Sequence, residues 1–337
     1  MEMILGWLHA VFPVDDNSRI GEARRHASEL AHELAWDELE RGRLALVVTE
    51  LGSNLLRHAH RGRLLIAALP ASGEIEVLSI DRGPGIANLD QCMGDGFSTG
   101  STPGTGLGAV RRLAHSFDIH SSTPEGTVVV ARLRNQRMPA LRSRAIDIGA
   151  VSLAAPGETA CGDAWAACLD GPRAAVMLAD GLGHGPDAAM AALAATAVFR
   201  DEPFADPRAG LQQAHEALRS TRGVALARVQ LDSTEQQIRS VGAGNVLVRV
   251  VSGDSDRTVL SQHGTLGLQI RRPEEVRTDW PPHAVVVLHT DGIEGRWTPQ
   301  LIHPVLGHDP ALVAAVLVRD HCRGRDDASV VVLRRRG

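Results

Sequence analysis

Apolar positions recur along the chain with two different periods, and the changes between them outline two successive sets of elements. Residues 9–14 read as a strand, and Asp15, Asp16, Asn17 and Ser18 behind them supply oxygens that can cap a helix. Ile20, Ala23, Ala27, Leu30 and Leu34 follow at helical spacing, and Leu44, Val47, Val48, Leu51 and Leu55 repeat the pattern in a second helix. Residues 74–80 alternate as a strand, and Gly126-Thr127 leads another over 128–133. A polar, arginine-rich stretch at 135–144, broken by Pro139, reads as a linker. Beyond it, strands are predicted at 146–153, after Gly162-Asp163 through Cys168, and at 224–231, 237–241, 245–251 and 285–289, with an apolar run over 174–179 that ends at Asp180 and a last strand ending at Leu333. Helices are predicted over 187–199 and 310–319; the first is apolar on nearly every side, which predicts a place in the interior.

Composition narrows the class. The chain has 337 residues, enough for two cores, with 44% hydrophobic residues, 22% charged residues and a net charge of -5. This is the composition of a soluble globular protein and shows no basic footprint for nucleic acid. Lysine is absent, so no mechanism here can use one, and Arg334, Arg335 and Arg336 read as a solvated end. Cys92, Cys161, Cys168 and Cys322 lack zinc-like spacing and disulfide density, which predicts buried free thiols in a reducing compartment. Glu2 stands where a signal peptide would carry basic charge, and the longest apolar run, 188–199, is too short to span a bilayer. A cytoplasmic protein without membrane contact is expected.

Candidate chemistry in the first part lies at four places. Glu50 and Asn54 sit four residues apart on one side of the second helix. A carboxylate there can take a proton from an attacking hydroxyl, and an amide oxygen can ligate Mg2+ on a triphosphate; a solvated polar edge would show the same pair. Asp81 ends the strand 74–80 and is followed by Gly83 and Gly85. It can accept a hydrogen bond from an exocyclic amine such as that of adenine, although a turn aspartate is the plain alternative. Residues 94–113 are glycine-rich and run into an apolar helix, the outline of a phosphate cradle.

Glu50 with Asn54, Asp81-x-Gly83-x-Gly85, the glycine-rich stretch and Gly126-Thr127, in that order, resemble the ATP-binding fold of histidine kinases, gyrase, Hsp90 and anti-sigma serine kinases. Phe97-Ser98-Thr99, Gly104-Thr105-Gly106-Leu107-Gly108 and the segment 117–121 resemble most the switch kinase of bacterial stressosomes and its anti-sigma relatives. The resemblance covers about residues 8–134 and implies an α/β sandwich binding ATP and Mg2+. Residue by residue it implies that Asn54 holds Mg2+, Asp81 reads adenine beside Gly83 and Gly85, and Thr127 supports that contact. Backbone around Gly104, Thr105, Gly106, Leu107 and Gly108 would bind phosphates, with Glu50 as general base.

In the second part aspartates gather at strand margins: Gly162-Asp163, Asp180-Gly181-Leu182-Gly183-His184-Gly185, Thr290-Asp291-Gly292 and Asp326-Asp327-Ala328-Ser329. Taken singly, each Asp-Gly reads as a turn. Converging carboxylates repel unless a cation lies between them, and hard oxygen donors select Mg2+ or Mn2+. Two ions about 4 Å apart can activate a bridging water and clamp a phosphoryl group. The series resembles the PP2C metal-dependent serine/threonine phosphatases, in the sporulation stage II and stressosome-feedback branch, over about residues 145–335. That implies an α-β-β-α sandwich with two Mn2+ or Mg2+, ligands Asp163, Asp180, Asp291, Asp326 and the Gly181 carbonyl, and a role for Asp327 that varies. His184 is a candidate general acid, and a structural histidine is the alternative.

The expectation is thus a two-domain α/β chain: an ATP-binding serine kinase-like domain at 1–134, a linker at 135–144 and a PP2C-type phosphatase domain at 145–337. Together they would set the phosphorylation of an antagonist-type, STAS-like partner domain on serine or threonine, in a sigma-factor or stressosome pathway. The alternative keeps the phosphatase and makes the first domain a nucleotide-binding module that sequesters a partner without transferring phosphate.

Overall fold

The computed structural model describes residues 1–59, 61–93, 106–135, 144–253 and 255–336. The chain forms two compact units: His9–Arg142, and Met1–Leu8 together with Ser143–Gly337. Its opening strand β1 (Glu2–Leu5) pairs antiparallel with β8 (Asp163–Asp170), with Glu2 opposite Leu169 and Leu5 opposite Ala166. The first eight residues, assigned by their sequence to the ATP-binding domain, therefore belong to the other unit. Four apolar or polar residues at the very start carry too little pattern to say which sheet edge they cover.

The His9–Arg142 unit runs β2 (Ala10–Pro13), α1 (Asn17–Glu33), α2 (Glu38–His58), β3 (Arg63–Leu69), β4 (Glu74–Ile80), α3 (Leu89–Met93), α4 (Leu107–Leu113), β5 (Ser116–Ser122) and β6 (Gly126–Arg134). The strands form one antiparallel sheet in the order β2-β3-β4-β6-β5. Asp16 caps α1 by accepting from the Ser18 and Arg19 amides, and Asp37 caps α2 by accepting from the Glu40 amide. The apolar stripes of both helices pack with Leu64, Ile66, Ile75, Val77, Val129 and Ala131 of the sheet into one core. Strand β3 escapes sequence reading because its run is continuously apolar rather than alternating. Glu76, fully buried on β4, accepts from Arg132 Nε at 2.7 Å and pairs with His9 Nε2 at 3.0 Å.

The second unit continues with β7 (Ile146–Leu153), β8, β9 (Arg173–Gly181), α5 (Pro186–Asp201), α6 (Pro207–Ala217), β10 (Val224–Asp232), β11 (Gln237–Ala243) and β12 (Leu247–Val251). Then come β13 (Asp256–Val259), β14 (Gly264–Thr265), β15 (Gln269–Ile270), β16 (Val276–Asp279), β17 (Val285–His289), α7 (Pro310–His321) and β18 (Ala328–Arg335). Two sheets, β1-β8-β9-β10-β11-β16 and β13-β12-β17-β18-β7, enclose a core of Trp165, Leu178, Val229, Val248, Leu288 and Val331 among others. Helices α5 and α6 cover the first sheet and α7 the second, so the layering is α-β-β-α. Asp206-Pro207 and Asp309-Pro310 open α6 and α7 with a capping carboxylate followed by a proline at the first turn.

Three expectations need correction. Helix α5 is not interior: Met190 and Leu193 are exposed, because only the face carrying Ala188, Ala191, Ala192 and Ala195 packs on the sheet. Its small alanines allow close approach there, while the rest of the helix faces solvent. All four cysteines are free as expected, but only Cys168 is buried. Arg334 and Arg335 lie in β18, not in a solvated tail; Arg335 stacks on Trp280 at 4.8 Å and Arg334 reaches Asp147 at 3.4 Å.

Removing the acid from the buried Glu76 cluster takes away the carboxylate that faces both Arg132 and His9. Glu76→Ala is expected to cost about 3 kcal/mol, read as a lower urea midpoint, with Glu76→Gln losing less.

Candidate functional sites

In the first unit the turn after β4 is folded onto the end of α2. The Asp81 carboxylate accepts from the Gly83 amide at 2.6 Å, and the Asp81 amide donates to the Thr127 carbonyl at 3.0 Å. A Cβ on Gly83 would lie 2.9 Å from the His58 carbonyl oxygen and 3.2 Å from Ala59 Cα. Only glycine therefore lets this turn close against the helix that carries Glu50 and Asn54. Thr127 is nearly buried on β6 and shares a hydrogen bond of 2.9 Å with Ser121, whose hydroxyl also accepts from the Ile86 amide at 2.7 Å. Ser121 thus ties the strand bearing Thr127 to the loop beyond Gly85; sequence reading quoted it in a motif and gave it no task.

Glu50 and Asn54 are half-buried, and among the described residues neither side chain has a hydrogen-bonding partner. Both are open to an incoming group. Gly106 precedes α4 and Leu107 and Gly108 form its first turn, with Gly108 buried. Gly104 and Thr105, the remaining expected phosphate binders, lie outside the described residues.

In the second unit four strand ends deliver carboxylates to one place. In the β8–β9 ladder Asp163 lies directly opposite Asp180, a like-charge pairing that sheets ordinarily avoid. Asp291 and Asp326 flank the neighbouring ends of β17 and β18, which are held together by the Thr290 amide donating to the Ser329 carbonyl at 3.1 Å. A Cβ on Gly292 would fall 1.9 Å from the Asp327 carbonyl oxygen, so glycine after Asp291 is what allows the two loops to touch.

Hydroxyls and an amide hold these acids. Thr290 Oγ1 donates to Asp163 Oδ2 at 2.8 Å and accepts from the Ser329 amide at 3.0 Å, while Ser329 Oγ donates to Ser152 Oγ at 2.9 Å. Asn245 Nδ2 donates to Asp291 Oδ2 at 2.7 Å. Asp327 is buried and accepts from the Ala155 amide at 2.9 Å, anchoring the loop before β8. His184 Nδ1 pairs with Glu158 at 2.8 Å on the exposed rim, leaving Nε2 outward. The Gly181 amide donates to the Gly162 carbonyl at 3.0 Å, which fixes the backbone beside Asp180. Ser329 is quoted in the Asp326 motif without a task, and Asn245, Ser152 and Glu158 carry no sequence signal of their own, since a single polar residue has many uses.

Burial and mutual repulsion dominate the electrostatics. Burial, then the negative charge of Asp180, pushes the Asp163 carboxyl well above its ordinary range. Asp180 is raised to about 7 by burial, then by Asp291, Asp326 and Asp327. Burial likewise raises Asp327. Asp163 Oδ1 and Asp327 Oδ2 are buried with no hydrogen-bond partner. Crowded carboxylates with unsatisfied inner oxygens fit a hard divalent cation. Among the described residues no three acid, histidine or cysteine side chains are already grouped closely enough to enclose one.

Fold and site thus define the class: an ATPase-type α/β unit combined with a PP2C-type carboxylate-centred sandwich. Residues 12–133 match the histidine kinase-like ATPase domain family, and residues 170–336 match the stage II sporulation protein E family. The chain belongs to these two families, and in its first unit to the serine/threonine kinase branch represented by RsbT of Bacillus subtilis (strain 168). It is 32% identical to that kinase over 111 residues, 32% of this chain and 84% of the relative. A solved structure described as the bacterial stressosome, a modular system adapted to control secondary messenger signaling, shares 27% identity at a TM-score of 0.53, covering 56% of this chain and 99% of that one. The PP2C phosphatase domain of SpoIIE from Bacillus subtilis, with a fragment of its regulatory domain, superposes at a TM-score of 0.50 and 18% identity, covering 96% of each chain. The second unit is accordingly a PP2C-type phosphatase domain. The sporulation-family match begins seven residues after Asp163, which is assigned to the site by its register with Asp180.

Because Asp180 titrates near 7, protons compete with metal below that value and not above it. Mn2+ is expected to bind about tenfold more weakly at pH 6 than at pH 8, read as a smaller rise in melting temperature. Asp180→Asn is expected to remove that rise.

Proposed function

We propose that the chain is a bifunctional regulatory switch: a serine kinase-like unit that binds Mg-ATP and a metal-dependent phosphatase unit that removes phosphate from serine or threonine of an antagonist-type, STAS-like partner. The observation that carries the phosphatase half is the Asp163–Asp180 cross-strand pair with Asp291, Asp326 and Asp327 clustered beside it. Asp163, Asp180, Asp291, Asp326 and the Gly181 carbonyl would hold two Mn2+ or Mg2+ ions, which when bound supply an activated water and neutralise phosphate charge. Thr290 and Asn245 orient the carboxylates that do so, each through one hydrogen bond to an acid. Glu158 holds the His184 ring so that Nε2 faces outward, where a leaving serine oxygen can take its proton.

In the first unit, Asp81 with Thr127 would receive the adenine amine, Asn54 the Mg2+, and the backbone of residues 104–108 the phosphates. Glu50, unpartnered on the same side of α2 as Asn54, is placed to accept the proton of an attacking serine hydroxyl. Identity to a serine/threonine-protein kinase supports transfer over mere binding, and the stressosome relative supports a sigma-factor or stressosome partner.

With radiolabelled ATP and a candidate STAS-like partner, the Asp180→Ala protein is expected to accumulate phosphoserine on the partner. Glu50→Ala is expected to bind ATP yet label at least a hundredfold more slowly. ATP binding without any labelling would instead support the nucleotide-gated phosphatase. Release of phosphate from the labelled partner should require Mn2+ or Mg2+, stop with EDTA and vanish in Asp180→Ala.

A further inference from the structure

The loops that carry Asp291 and Asp326 do more than present carboxylates. Beyond Gly292 they run side by side: the Arg323 amide donates to the Gly292 carbonyl at 2.9 Å, the Glu294 amide donates to the His321 carbonyl at 2.9 Å, and Ile293 bridges Cys322. Between them lies a cavity of about 610 Å³ lined by Glu294, Gly295, Arg296, Arg323 and Arg325. The three arginines are exposed, and among the described residues none has a hydrogen-bonding or ion-pairing side-chain partner. The one acid of the lining, Glu294, lies 3.6 Å from His321 rather than against a guanidinium. Elsewhere in this unit exposed arginines do find acids, as Arg219 does with Glu216 and Arg173 with Asp170. Three unpaired guanidiniums against one carboxylate leave a local positive charge a few residues from an acidic centre.

We propose that this cavity is a docking subsite for an acidic segment of the phosphoprotein substrate, next to the phosphorylated residue. The inference rests on the phosphatase reading of the same unit and gives it a substrate class: phosphoserine or phosphothreonine flanked by Asp or Glu. The cavity has room for side chains rather than a lone phosphate. Planar guanidiniums pair with carboxylates through two parallel hydrogen bonds, which gives orientation as well as attraction. Arg325 precedes Asp326, and Arg296 follows Asp291 by five positions, so a segment held here is delivered beside the carboxylate cluster. The arginines also offset the negative field that four or five clustered aspartates would turn against a phosphorylated, acidic chain.

Two fluorescein-labelled phosphoserine peptides, identical except that Asp and Glu flanks in one are Asn and Gln in the other, test this with the full chain in EDTA. Binding by anisotropy at about 50 mM salt is expected to favour the acidic peptide roughly tenfold, and the preference is expected to shrink as salt rises. The Arg296→Glu/Arg323→Glu protein should lose the preference, and Arg296→Gln/Arg323→Gln should weaken it. Equal affinity for the two peptides, or a preference that survives charge reversal, overturns the proposal. Hydrolysis of the neutral peptide with Mn2+ is scored separately: its absence beside an intact acidic preference would indict the phosphatase reading and leave the docking subsite standing.

Discussion

The constraint on which the second unit depends is the forced proximity of carboxylates. Asp163 and Asp180 face each other across a ladder, and Asp291, Asp326 and Asp327 crowd the adjoining strand ends. Such an arrangement opposes folding, because each acid raises the cost of ionising the next. It persists because the strands beneath are fixed by a large apolar interior whose burial offsets the repulsion. Thr290 and Asn245 then each satisfy one carboxylate oxygen, with Ser329 and Ser152 bonded to each other behind Thr290, while among the described residues Asp163 Oδ1 and Asp327 Oδ2 have no hydrogen-bond partner.

The first unit uses a different construction for a different task. Its candidate residues lie on a helix and on a tight turn pressed against that helix's end, with Ser121 and Thr127 bracing the turn from the sheet. Neutral and singly charged groups predominate there. The carboxylate centre, by contrast, gathers negative charge that protons or a bound cation must offset. The kinase-like unit and the phosphatase unit thus rest on two unrelated physical devices within one chain.

Connectivity adds a further point. Strand β1 precedes the ATPase-type unit in the chain yet pairs with β8, the strand that begins at Asp163. The ATPase-type unit is therefore joined to the phosphatase sheet by chain at both of its ends. Trp7, just after β1, packs edge-on against Trp165 of β8 at 4.7 Å, and the Gly6 amide donates to the Trp165 carbonyl, so this attachment is anchored in the sheet.

Much of the molecule was legible in its sequence because the relevant signals are local. Helical and alternating periods mark α1, α2, β4 and most strands of the second unit, and Asp-Gly steps mark where strands end at the carboxylate centre. Residue type, order and family resemblance single out Glu50, Asn54, Asp81, Asp163, Asp180, Asp291 and Asp326 as candidates. What sequence left open was decided by contacts between distant segments. The place of β1, the exposure of one face of α5, the hydrogen-bond chain from Ser152 to Asp163, the contact of Asn245 with Asp291 and the arginine-lined cavity all join residues far apart in the chain. Periodicity reports which face of an element is apolar; only the packed fold determines which polar groups meet, and electrostatics and hydrogen bonding act on that meeting alone.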